Sequence, residues 1–325
     1  MAHNLMRNQM AFVGETPWHG LGRRVEPTTD SATMLKAAGL DWTVEKIPGQ
    51  GARVLRHRAG RPIYERYFVT RSLQEGETTP PVLGIVKDSY ELVQNHEAFA
   101  FFEPFLAAGH AQYEAAGALG NGERIWVQVR LATPVVVAED DKVTKFLLLS
   151  NAHDGSGALS IRFTPVRVVC QNTLNLAAKG GERVVNMRHS RHVRDRLGDE
   201  QVAILLKLVS DTFAQMAVDF ARLARTEATA ERRRRFMDDL FPMKSGPMGE
   251  PPLWQQRIDE VLDNDAVTPP KTRTTMWGLY NAVTHAEDYR KSTEVGPEAR
   301  LDRVWFGRGA DLKMKALNRA LEHCA

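Results

Sequence analysis

The sequence predicts an α+β fold: an antiparallel sheet of hairpins with packed helices, followed by a mostly helical C-terminal part. Two observations predict it. Short alternating segments separated by turn-forming residues dominate residues 41–164, as expected for strands and hairpins. From residue 202 to 223 the apolar residues follow a 4-3-4-3 spacing, which indicates a helical seam. We therefore expect a sheet-containing body at 1–196 and a helical region at 197–325.

The N-terminal body predicts a β-β-β-α type core. Residues 1–30 look irregular, whereas 41–93 contain several strand-like segments with Gly- and Pro-rich turns between them. An apolar helix follows, in which Pro104 predicts a kink or an early end. Asn121-Gly122 lies between alternating segments and predicts a tight hairpin.

The C-terminal region predicts a series of helices. A segment rich in Pro and Gly, residues 241–252, is the best candidate for an internal linker. Within the N-terminal body, the pattern of residues 171–178 also predicts a short helix. Beyond the seam, the predicted helices span residues 231–240, 253–262, 275–290, 298–305 and 311–321.

Composition excludes several classes of protein. The chain has 325 residues, 43% hydrophobic and 26% charged, with a net charge of +3, which is ordinary for a globular protein. No apolar run approaches the roughly 18 residues of a membrane span, so we expect no membrane partner. The start of the sequence lacks an apolar signal core, and Cys170 and Cys324 are the two cysteines, so we expect a cytoplasmic protein. Gly-x-x-x-x-Gly-Lys-Ser/Thr and Gly-x-Ser-x-Gly are absent, so we expect no cofactor and favour a non-enzymatic protein.

Arginines are concentrated near the midpoint of the chain. Residues 179–196 contain six Lys or Arg against Glu182 and Asp195. Guanidinium groups contact phosphate oxygens in a bidentate manner, so this region predicts a surface for a polyanion. A solvated charged face is the alternative interpretation. The candidate DNA-binding residues are Arg162, Arg167, Arg183, Arg188, Arg191 and Arg194.

Histidines in the same region suggest a second type of site. His153 and Asp154 lie in a predicted turn, and His189 and His192 are three residues apart. Imidazoles and a carboxylate could together hold a hydrolytic metal ion. However, the sequence has no Cys-x-x-Cys or His-Glu-x-x-His motif, and neighbouring arginines would repel a cation. We therefore expect no metal site and keep this set as an alternative.

Five segments resemble a known family: residues 17–22, 90–99, 164–174, 277–284 and 305–307. Their sequences are Pro-Trp-His-Gly-Leu-Gly, Tyr-Glu-Leu-Val-Gln-Asn-His-Glu-Ala-Phe, Thr-Pro-Val-Arg-Val-Val-Cys-Gln-Asn-Thr-Leu, Trp-Gly-Leu-Tyr-Asn-Ala-Val-Thr and Trp-Phe-Gly. They resemble the phage/plasmid-like proteins grouped under domain of unknown function 932. The resemblance implies a mobile element, bacteriophage or plasmid, where genes for recombination and replication accessories abound.

The predicted strand–strand–strand–helix order around residues 52–108 is similar, in topology only, to the core of Rad fifty-two-type single-strand annealing proteins. Our leading hypothesis is therefore a DNA-binding protein that holds single-stranded DNA along an arginine-lined sheet or groove. Strand annealing in DNA recombination would follow if the phosphates were neutralised while the base edges stayed free. A homo-oligomer would lengthen the track. The alternatives are a metal-dependent nuclease-like enzyme and a host-directed interaction protein.

Overall fold

The fold is α+β, with antiparallel-rich sheets and with helices toward the C-terminus, as the sequence predicts. The chain divides into two compact units. The first comprises Met1–Ala132, Leu147–Arg162 and Val184–Lys207, and the second comprises Thr133–Phe146, Phe163–Arg183 and Leu208–Ala325. The computed structural model describes residues 5–14, 21–27, 29–49, 54–56, 62–64, 66–138, 141–167, 172–173, 184–193, 199–242, 252–265, 267–289 and 308–324.

The strands are, in chain order, β1 (Leu5–Val13), β2 (Arg23–Val25), β3 (Val44–Pro48), β4 (Val54–Arg56), β5 (Pro62–Tyr64), β6 (Tyr67–Arg71), β7 (Val82–Val86), β8 (Ala111–Leu119), β9 (Arg124–Leu131), β10 (Val135–Ala138), β11 (Asp141–Ala152), β12 (Leu159–Arg167), β13 (Asn172–Thr173) and β14 (Val184–Met187). The helices are α1 (Ser31–Ala37), α2 (Asn95–Ala100), α3 (Glu103–Ala107), α4 (Asp199–Arg225), α5 (Ala230–Leu240), α6 (Leu253–Leu262), α7 (Pro270–Arg273), α8 (Met276–Asp288) and α9 (Arg308–Glu322).

The predicted boundary between body and helical region stays a prediction. It falls within residues 194–198, which lie outside the described residues, as do 243–251 of the predicted linker and the predicted helix at 298–305. The two compact units are not contiguous in sequence, because β11 and β12 each have residues in both.

The main sheet has the strand order β13-β12-β11-β9-β8-β1-β2, and in addition β14 pairs with β12 and β10 pairs with β11. The predicted hairpin is confirmed: β8 and β9 pair antiparallel up to Leu119 opposite Arg124, and Asn121-Gly122 lies in the connection. Gly122 has a φ of +112°, a conformation that favours glycine. On the other side, β1 pairs antiparallel with β8 and parallel with β2.

A smaller sheet with the order β3-β6-β7 precedes α2, so a strand–strand–strand–helix order is present, but it begins at Val44 rather than near residue 52, because β4 and β5 pair with each other in a separate two-stranded sheet. Both pairs of the β3-β6-β7 sheet are antiparallel. Gln94 fixes the helix to this sheet, since its side-chain amide donates to the Val44 carbonyl and accepts from the Val44 N–H. The early helix end is also confirmed. α2 stops at Ala100, and Pro104 lies in the first turn of α3, where its missing N–H costs little.

Two predictions about local structure were wrong. The described part of residues 1–30 is not irregular, because Leu5–Val13 forms the strand β1 and Arg23–Val25 forms β2. The short helix expected at 171–178 is not formed at its start, because Asn172 and Thr173 pair as β13 with the end of β12. In both cases the partner strand, not the local pattern, determines the conformation.

The second unit is built around helices. The apolar seam of α4 is buried over its described side chains, from Phe213 to Leu223, and Phe220 packs 4.6 Å from the ring of Trp277 on α8. The indole N–H of Trp277 donates to the buried carboxylate of Asp141 at 2.8 Å. α6 and α9 also pack against α8. In the part of the chain that is described, no helix combines the length and the apolar character needed to cross a bilayer.

Candidate functional site

A tight turn that follows β14 carries two of the predicted DNA-binding arginines of the first unit, Arg188 and Arg191. The N–H of Ser190 donates to the carbonyl of Arg188 at 2.7 Å, and the N–H of Val193 donates to that of Ser190 at 2.8 Å. Val193 is buried, whereas Arg188 and Arg191 are exposed. We call residues 188–193 the basic turn.

Reciprocal hydrogen bonds between His189 and Glu91 anchor the basic turn. The ring Nδ1–H of His189 donates to the Glu91 carbonyl at 2.9 Å, and the Glu91 N–H donates to the His189 carbonyl at 3.0 Å. Because a carbonyl can only accept, Nδ1 carries the ring proton. The ring stacks on Tyr90, with centroids 4.5 Å apart. Burial lowers the pKa of His189, so this ring contributes no positive charge to the turn at neutral pH.

A second buried histidine lies behind this anchor. Asn95 donates from its amide nitrogen to the carbonyls of Leu40 and Trp42, so its oxygen is the acceptor facing His153. The ring Nε2–H of His153 therefore donates to Asn95 Oδ1, at 3.0 Å. Burial, and secondarily the proximity of His189, lowers the pKa of His153 to about 3. Its Nδ1 is buried without a hydrogen-bond partner among the described residues. We call Tyr90, Asn95, His153 and His189 the histidine cluster.

The structure brings only some of the six predicted DNA-binding arginines together. Arg188 and Arg191 share the basic turn, are exposed, and have no ion-pair partner among the described residues. Arg162 is half-buried on β12 opposite Val184, which is the first residue of β14, whereas Arg188 follows directly after the last residue of that strand.

The other three candidates cannot be added to this surface. Arg167 lies at the end of β12, in the second unit, and its side chain is outside the described part of the structure. Arg183 and Arg194 lie wholly outside the described residues. The surface that the described residues define is therefore the basic turn, with Arg162 on the neighbouring strand.

The four residues of the metal alternative are divided between the interior and the surface. His153 is buried and bonded to Asn95, whereas His192 is exposed. Asp154 lies near enough to His189 for its charge to oppose the lowering of the His189 pKa, and its Oδ1 accepts from the Ser156 N–H at 2.8 Å. Over the described ranges, no group of three or more His, Cys, Asp or Glu could hold a metal ion.

Sequence reasoning did not single out a second group of arginines, in the second unit. Residues 222–235, at the end of α4 and the start of α5, include the uninterrupted run Arg232 to Arg235. The run itself was the available signal, because four consecutive arginines on an 11-residue helix cannot all face the protein core. We call residues 222–235 the arginine corner.

Together, the fold and the site define an α+β protein with exposed, anchored arginines. Residues 82–305 match the family described as "Domain of unknown function (DUF932)", and because they make up more than half of the chain, the protein belongs to that family. No curated protein and no solved structure matches the chain.

Two segments that carried the family resemblance have structural roles. Tyr90 to Phe99 contains the Tyr90 and Asn95 of the histidine cluster and the Glu91 that anchors the basic turn. Trp277 to Thr284 lies on α8 and is buried throughout. The first segment therefore supports the basic turn through Tyr90 and Glu91 and also carries the exposed His96, and the second lies in the interior of the second unit.

Proposed function

We propose that this protein binds single-stranded nucleic acid, most directly single-stranded DNA, by phosphate contacts at the basic turn. The observation that supports the proposal is the pair of exposed guanidinium groups of Arg188 and Arg191 on a backbone that His189 and Val193 anchor in the interior. A guanidinium donates two parallel hydrogen bonds to a phosphate, and an anchored backbone reduces the ordering cost of binding.

The proposal extends to a biological role. A DNA-binding protein of a bacteriophage or plasmid, acting in the cytoplasm in DNA recombination, fits the resemblance from which the hypothesis began. Strand annealing would require that phosphates be held while base edges stay accessible. Arg162 would extend the contact along β12, and Arg167, Arg183 and Arg194 remain proposed contacts. A homo-oligomer would join several basic turns into a longer track.

Salt-dependent binding of a labelled oligonucleotide tests the proposal. The affinity of the wild-type protein for a 30-nucleotide oligo(dT) should fall steeply as salt rises. The variant Arg188→Ala/Arg191→Ala should reduce the slope of log K against log salt by about 1.4, since each phosphate contact on a single strand contributes roughly 0.7. The control Arg23→Ala/Arg24→Ala removes the same charge from exposed positions on β2 and should leave the slope unchanged.

Equal slopes for the wild-type protein and the Arg188/Arg191 variant would remove the basic turn from the binding site. A wild-type protein that does not bind the oligonucleotide at low salt would end the proposal as a whole. Cleavage of the oligonucleotide that requires a divalent metal ion, and that is lost in His192→Ala, would instead support the nuclease-like alternative.

A further inference from the structure

The arginine corner has a composition that is unusual for a solvated helix surface. Residues 222–235 contain six arginines, no lysine, and the two carboxylates of Glu227 and Glu231, which leaves a net charge of +4. Solubility alone does not require arginine, whereas recognition of phosphate favours it over lysine because of its planar, bidentate fork.

Three of the six arginines are engaged within the protein. Arg233 is half-buried and forms an ion pair with Asp259 on α6. Arg232 donates to the Glu227 carbonyl at 3.1 Å. Arg235 pairs with Glu231 one turn earlier at 2.6 Å, in an exposed geometry that contributes little stability.

The other three arginines are exposed and have no ion-pair partner in the part of the chain that is described: Arg222, Arg225 and Arg234. The first two lie in the last turn of α4, where a cation stabilises the helix dipole, so their position has a partial structural explanation. Arg234 lies in the middle of α5 and has no such role.

The backbone that carries these three arginines is fixed on both sides of the turn between α4 and α5. The N–H of Ala228 donates to the Thr274 carbonyl at 2.8 Å, and the N–H of Met276 donates to the Thr226 carbonyl at 2.9 Å. Thr229 then caps α5 by accepting from the Arg232 N–H. The separation of the helix ends is therefore set by the fold, and a ligand would not have to order it.

We infer that the arginine corner is a contact surface for the phosphate backbone of single-stranded nucleic acid, formed by Arg222, Arg225 and Arg234. The inference rests on the proposed function for the class of ligand, and it adds a second surface, on the second unit. Charge complementarity selects this ligand, because a polyanion can pair with three exposed guanidinium groups that a fixed backbone carries and that have no ion-pair partner among the described residues.

The test uses the full chain and the same labelled oligonucleotide. The variant Arg222→Gln/Arg225→Gln/Arg234→Gln removes three charges and keeps polar side chains of nearly the same helix propensity. The control Lys36→Gln/Lys142→Gln/Lys207→Gln lowers the net charge equally at exposed positions elsewhere. Circular dichroism melting establishes that both variants fold as the wild-type protein does.

The corner variant should reduce the salt slope by about 2, and at 0.1 M salt it should weaken binding about 100-fold, on the estimate of 0.7 per phosphate contact. The lysine control should retain the wild-type slope. An unchanged slope in the corner variant would overturn the inference, and so would an equal loss in the control, because it would mean that net charge alone matters.

The Arg188/Arg191 variant separates this inference from the proposed function. A reduced salt slope in the Arg188/Arg191 variant, with an unchanged slope in the corner variant, would overturn the inference about the arginine corner and leave the proposed function in place. A reduced salt slope in the corner variant alone would support the inference about the arginine corner and would remove the basic turn from the binding site. A wild-type protein without affinity for the oligonucleotide would overturn both.

Discussion

Acid should destabilise this protein through His153. The imidazole is buried and neutral, and its pKa falls from an ordinary 6.5 to about 3 in the folded state. Between these two values the unfolded chain binds a proton that the folded protein does not. The stability that the neutral ring contributes is therefore complete above pH 6.5 and is lost as the pH falls below that value.

The expected loss follows from the size of this shift. Each pH unit below 6.5 costs about 1.4 kcal/mol until the folded-state pKa is reached. At pH 5.0 His153 alone should therefore lower the free energy of unfolding by about 2 kcal/mol relative to pH 7.5. The pKa of His189 is lowered in the same direction, so the wild-type loss should be larger than this.

Urea unfolding of the wild-type protein and of His153→Gln at the two pH values measures this contribution. At pH 7.5 the variant should be less stable by about 1–3 kcal/mol, since it disturbs a buried hydrogen bond. Its difference in stability between pH 7.5 and 5.0 should be about 2 kcal/mol smaller than that of the wild-type protein. The exposed His110→Gln is the control and should keep the wild-type difference. If His153→Gln also showed the wild-type difference in stability between pH 7.5 and 5.0, the buried neutral imidazole would not be the origin of the acid sensitivity.

Two substitutions test packing in the two units, again by urea unfolding. Lys313→Met removes the ammonium that lies 2.8 Å from the Asp288 carboxylate at a buried position, so it should lower the free energy of unfolding by about 3–5 kcal/mol. Adding Asp288→Asn should recover part of this stability. Equal stability of the single variant and the wild-type protein would contradict the prediction. Gly84→Ala places a Cβ 2.5 Å from the carbonyl oxygen of Asp154 and should cost about 1–3 kcal/mol, whereas Gly49→Ala meets only ordinary contacts; similar stability of the two variants would show that the backbone near Gly84 yields.

Local sequence patterns predicted the elements whose partners are close in sequence. The Asn121-Gly122 hairpin is an example, because its turn and both of its strands lie within one short stretch. β1 was missed because a bulge interrupts its alternation. The register with β8 shifts between Leu5 and Met10, and Arg7 within that stretch has a φ of +53°. The residues of β8 that pair with β1 lie about a hundred positions later in the chain. The nine-residue segment by itself therefore does not indicate that it forms a strand.

The candidate site was predictable to a similar extent. Clustered charge is visible in a sequence, and the exposed pair Arg188 and Arg191 was named from it. The hydrogen bonds that anchor the basic turn could not be predicted from the sequence, because they join His189 to Glu91, which lies 98 positions away. The arginine corner had a visible signal in the run from Arg232 to Arg235, but only coordinates separate the engaged Arg233 from the exposed Arg234.

Within the family segment from Tyr90 to Phe99, Tyr90 and Glu91 affect the basic turn through their contacts with His189. Tyr90 and Glu91 hold His189, so changes there would displace Arg188 and Arg191 as well as destabilise the first unit. Weak binding in such a variant would then have two physical causes that an affinity alone cannot separate. Substitutions of exposed arginines avoid this ambiguity, because their side chains contribute little to packing and a change in salt slope reports phosphate contacts directly. The proposed function is therefore better tested at the exposed arginines of the basic turn than at Tyr90 and Glu91.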